Sequence, residues 1–86
     1  MDRIEPLLND LMPTLLVIAG QPNAHVLAER QIDDCLGKLG QTYRQSFLKQ
    51  LGDRAADEMA VAPSAPSRTF WKTVAEYAAA AKHSSA

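Results

Sequence analysis

Glycine and proline pair up at three places in this chain, and the sequence between those places is helix-forming. Gly20 and Pro22, Gly37 and Gly40, and Pro63 with Pro66 divide the 86 residues into four segments. A proline has no amide hydrogen to donate, and a glycine gives up the most backbone freedom on ordering, so each cluster stops a helix. Ala, Leu, Gln, Lys, Arg and Glu dominate the stretches between the breaks, and β-branched residues are few. The punctuation therefore predicts an all-α fold over residues 1–86, a small bundle of three longer helices plus a short, Pro-kinked N-terminal helix.

Apolar periodicity fills in the segments. Ile4, Leu7, Leu8, Leu11, Met12, Leu15 and Leu16 repeat at i, i+3, i+4, i+7, the spacing of one helical face. Pro6 suits a first turn, whose amides lack partners. Pro13 takes the bond to the Asn9 carbonyl away, which predicts a kink or break near Asn9–Met12. Gly20 then reads as a left-handed stop. A second helix capped at Pro22 or Asn23 buries Ala28, Ile32, Cys35, Leu36 and Leu39, with Arg30–Asp34 and Asp34–Lys38 as i,i+4 pairs outside. Thr42 and Gln45 fit a capping box for a third helix, whose stripe is Tyr43, Phe47, Leu48, Leu51, Ala55, Met59 and Ala62. Residues 62–67 read as a Pro/Ser hinge with Ser67 as cap of the last helix, and residues 83–86 as a frayed tail.

The hydrophobic fraction of 47% includes 14 alanines, which leave little side-chain area to bury. Ten Leu, three Ile and four Val can hold one small domain, with a margin that a second copy or a partner would widen. The formal charge is −1, with 9 basic and 10 acidic side chains interspersed. Neither a basic tract nor an acidic tail is present, which disfavours nucleic acid and an anionic membrane as partners. The uncharged run Leu11–Gly20 is too short to span a bilayer and poor as a signal peptide. With one cysteine and no internal disulfide possible, the composition points to a cytoplasmic protein.

No constellation of residues carries chemistry. His25 and Glu29 are one turn apart but find no matching pair, so no metal or other cofactor is expected. Asp53, Asp57 and Glu58 have Arg54 among them and read as a solvated, internally paired face. Cys35, between Ile32 and Leu39 with no basic residue one turn away, reads as an inert core thiol. No serine has a partner histidine, and no Gly-rich turn follows a strand. These readings point away from an enzyme.

Two regions read as interaction surfaces. On the last helix Phe70, Val74 and Tyr77 share a stripe, while Trp71 lies about 100° away from Phe70. Two neighbours so separated do not fit one narrow groove, which places Trp71 at an exposed rim with Arg68 and Lys72, a basic-edged contact for another protein. On the first helix Leu15, Leu16, Val17 and Ile18 form an apolar block wider than one face, which predicts self-association into a homodimer. The favoured function is a non-enzymatic protein–protein interaction module: a small regulator, inhibitor or adaptor. A dimeric DNA-binding regulator is the alternative, because the Gly37–Gln41 turn between the second and third helices resembles helix-turn-helix spacing. Gln41, Thr42, Arg44, Gln45 and Lys49 would then reach bases or phosphates. A small helper subunit of an enzyme complex would leave the same signature as the favoured reading.

Overall fold

The computed structural model describes residues 4–84, and these form four helices. They are α1 (Ile4–Ile18), α2 (Ala24–Gly37), α3 (Gln41–Ala60) and α4 (Ala65–Ser84). The described residues contain no strand, so the all-α expectation holds. The expected short first helix is not found: α1 runs 15 residues without interruption through Pro13, one residue longer than α2. Pro13 is exposed, so the Asn9 carbonyl that loses its usual donor lies on the side water reaches, where proline is least disruptive. The Thr14 hydroxyl donates to the Asp10 carbonyl at 3.2 Å in the same turn.

The breaks fall where glycine and proline put them, but the caps differ from expectation. Gly20 closes α1 without a positive φ. Its amide donates to the Val17 carbonyl at 3.3 Å and Gln21 donates to Ile18 at 2.8 Å, a tightened last turn instead of a left-handed stop. Asn23 occupies the N-cap of α2, yet its side chain makes no capping bond. α3 begins at Gln41 on an extended Gly40, so Thr42 falls inside the helix and the Thr42–Gln45 box does not form. The hinge is shorter than residues 62–67: α4 starts at Ala65, with Pro66 and Ser67 already in its first turn. Ser64 is the cap there, its hydroxyl oxygen accepting from the Ser67 amide at 3.3 Å. Helix α4 also takes in His83 and Ser84, at the start of the expected tail; residues 85 and 86 lie outside the described residues.

One cluster of apolar side chains joins the helices. From α1 it takes Ile4, Leu8, Leu11, Met12, Leu15 and Ile18, and from α2 Ala28, Ile32 and Cys35, with Leu39 after it. α3 contributes Phe47, Leu48, Leu51 and Ala55, and α4 contributes Phe70, Trp71, Val74 and Ala78. The expected stripes supply most of this core; Leu7, Leu36, Met59 and Tyr77 pack against it partly buried, Ala62 lies outside it, and Leu16 and Tyr43 stay exposed. The α3–α4 pair packs most extensively; α2 lies against α4, and α1 against α2 and α3.

Polar side chains tie the bundle at its edges. The Gln45 amide, near the start of α3, donates to the Lys82 carbonyl near the end of α4 at 3.1 Å, which fixes these two helices as antiparallel. The Arg44 guanidinium donates through Nε to the Leu36 carbonyl at 3.0 Å and so joins α3 to the last turn of α2. Tyr77 on α4 donates to Asp33 Oδ1 on α2 at 2.5 Å. Arg54 on α3 reaches Asn9 Oδ1 on α1 at 3.4 Å.

Candidate functional site

Trp71 is 1% exposed, among the most deeply buried large side chains of the molecule. The expected Trp71 rim is therefore corrected. Its ring meets Phe70 edge to face, with centroids 5.1 Å apart and planes at 80°, a favourable aromatic geometry. One narrow groove would not hold two side chains about 100° apart. Instead α4 packs extensively against α3 and also against α2, so the buried arc is wide enough for residues about 100° apart. Arg68 and Lys72 remain exposed one turn apart, a basic edge without its aromatic.

The apolar block on α1 divides in two. Leu15 is fully buried and Ile18 nearly so, while Leu16 is 53% and Val17 68% exposed. A helix with its core face already satisfied thus carries two large apolar side chains on its outer side. Elsewhere Val26, Tyr43 and Val61 are also exposed.

The five residues at the start of α3 are not equally available. Gln41 and Thr42 are exposed. Arg44 and Gln45 are half-buried and spend side-chain donors on the Leu36 and Lys82 carbonyls. Lys49 pairs with Asp53 at 3.2 Å in an exposed i,i+4 bridge, worth a few tenths of a kcal/mol, roughly 0.3–0.5. The link from α2 to α3 is Lys38, Leu39 and Gly40, shorter than the five-residue turn the sequence suggested.

Arg54 does not pair with its acidic neighbours as expected; it turns to Asn9. With Met12, Asp57 and Glu58 it lines an open cleft of about 310 Å³ where α1 meets α3. Among the described residues Arg30, Asp34 and Lys38 form no ion pair either.

Two groups have shifted proton affinity. Burial pushes the Cys35 thiol up, against a smaller pull from Lys38, so a basic residue does lie one turn away, contrary to expectation. A thiol held protonated is a poor nucleophile. Tyr77 is pushed up to about 12, first by its hydrogen bond to Asp33 and then by partial burial and the charges of Asp33 and Glu29. Among the described residues no group of three or more His, Cys, Asp or Glu side chains could hold a metal ion. None of their buried side-chain nitrogens or oxygens lacks a partner. No described helix is long and apolar enough to cross a membrane.

No family model, curated protein or solved structure matches the chain. What the molecule offers a partner must therefore be read from its own surface.

Proposed function

We propose that the protein is a non-enzymatic interaction module, a small regulator, inhibitor or adaptor that docks on another protein and acts as a homodimer. One observation carries the reading: Leu16 and Val17 stay exposed on a helix whose core face is already filled. In so small a chain, large apolar side chains left outside a complete core favour burial by association. The exposed Arg68–Lys72 edge of α4 is the surface assigned to the second protein, and its chemistry suits an acidic partner. Light scattering across a dilution series tests the dimer. The expected mass is twice 9.4 kDa at high concentration, falling on dilution; a monomer at every concentration contradicts it. Capture from a host lysate, with the wild type beside the Arg68→Glu/Lys72→Glu double variant, tests the second surface. The expected result is a partner retained by the first and lost by the second; equal retention contradicts the assignment.

A dimeric DNA-binding regulator has one observation in its favour, the three-residue link between α2 and α3, which is the usual length for a helix-turn-helix. It would have to use Gln41 and Thr42, since Arg44, Gln45 and Lys49 are engaged within the chain. It predicts salt-sensitive duplex binding weakened by Gln41→Ala and Thr42→Ala; no retardation of any duplex at low salt would sink it. A helper subunit of an enzyme complex differs from the favoured reading only in the identity of the partner.

A further inference from the structure

Helix α1 carries a second apolar stripe opposite its core stripe. Pro13, Leu16 and Val17 follow i, i+3, i+4 spacing, and Gly20 continues it one turn on; all four are exposed. A core-facing stripe needs only Ile4, Leu8, Leu11, Leu15 and Ile18, and these are buried. The outer stripe is thus surplus to the fold.

Charge restricts what can cover it. From Leu11 to Ala24 the sequence holds no ionisable side chain, and from Ile4 to Glu29 no Lys or Arg. An anionic lipid surface or a nucleic acid finds no cation on this stripe itself, the Arg54 guanidinium of α3 reaching only Asn9 one turn before Pro13, and a charged protein surface would lose water there without gaining an opposite charge. An isologous contact has the opposite requirement. It sets residues near the axis against their own copies, so a charge there faces itself and repels, while an uncharged apolar stripe is self-complementary. Gly20 has no side chain, and Pro13 has no amide hydrogen left to satisfy when water is excluded.

We propose that the outer stripe of α1 is a two-fold contact with a second copy of this chain, centred on Leu16 and Val17; this rests on the homodimer reading above. A stripe of this width is narrow beside a standard interface of roughly 800 Å² per partner, so the dimer dissociates on dilution. The arrangement leaves Arg68 and Lys72 on α4 for the second protein.

Two experiments together test it. In a Cys35→Ala background, Val17→Cys and Val61→Cys variants are oxidised separately and resolved on non-reducing gels. Both parent side chains are exposed, Val61 even more so at 74%, so exposure alone favours Val61→Cys. The proposal predicts rapid covalent dimer from Val17→Cys and little from Val61→Cys. In sedimentation equilibrium, Val17→Glu is expected to weaken dimerisation about tenfold or more with helical circular dichroism unchanged. A wild-type dimer that Val17→Glu leaves intact, or equal cross-linking at both sites, overturns the α1 contact while the homodimer reading stands. A wild type that is monomeric at every concentration overturns both.

Discussion

The inner face of α4 and the outer face of α1 invert what their residue types suggest. α4 carries Phe70 and Trp71, the kind of side chains that dominate protein interfaces, and both are buried in the chain's own core. α1 carries Leu16 and Val17, ordinary core residues, and both are exposed. The difference lies in the extent of packing, since each of the two lies against two other helices and α4 is packed far more extensively. α4 is flanked by α3 and α2, so a wide arc of its surface is covered. α1 lies against α2 and α3, and its core stripe is already filled by Ile4, Leu8, Leu11, Leu15 and Ile18. Residue type proposes an interface; the breadth of the arc that neighbouring helices cover decides which face is left over.

The largest effect that would break this comparison comes from Trp71. Trp71→Ala should cost about 3–5 kcal/mol by emptying a filled core site, seen as a lower midpoint in urea with no change in slope. A loss below about 1 kcal/mol would return Trp71 to the surface and undo the contrast between the two helices.

A smaller effect tests the claim that α2 holds one side of α4. Tyr77→Phe removes the bond to Asp33 and should cost about 1 kcal/mol. The same tie has a pH signature. The folded pKa of Tyr77 is raised from 10.0 to about 12, so the unfolded chain gives up this proton first as pH rises. The stabilisation is complete below 10 and fades between 10 and about 12. Asp33→Ala should bring the tyrosinate absorbance transition back toward 10. An unchanged transition would mean that α2 does not grip α4 through this pair.

The smallest effect concerns α3, the platform under α4. A Cβ added at Gly52 meets nothing within 4 Å, and Gly52 lies inside the helix. Gly52→Ala should therefore stabilise the fold by about 0.5–1 kcal/mol through helix propensity alone. Destabilisation would mean that the α3–α4 packing is tighter than described.

Much of this fold was legible in the sequence because each layer of signal agreed. Gly20 with Pro22, Gly40 and Pro63 set the breaks, and the stripes Ile4–Leu8–Leu11–Leu15, Ile32–Cys35–Leu39, Phe47–Leu48–Leu51 and Phe70–Val74–Ala78 are the buried ones. Features that depend on a neighbour's position were not. The ties from Arg44 to the Leu36 carbonyl and from Gln45 to the Lys82 carbonyl span 8 and 37 residues, beyond the reach of a local pattern such as the Thr42–Gln45 capping box. The helix through Pro13 depends on that residue facing out, and the fate of Trp71 on α2 flanking α4. Of the proposed contact surfaces, Arg68, Lys72, Leu16 and Val17 are exposed as the sequence suggested; Leu15, Ile18 and Trp71 belong to the core.

The concentration dependence of thermal unfolding tests the central claim most directly, that surplus apolar surface on α1 serves association. If folded chains pair through Leu16 and Val17, the wild-type Tm rises with protein concentration, and Val17→Glu removes the dependence while keeping the dilute-limit Tm. A wild-type Tm that stays constant over the same range, or a dependence that Val17→Glu retains, would contradict it.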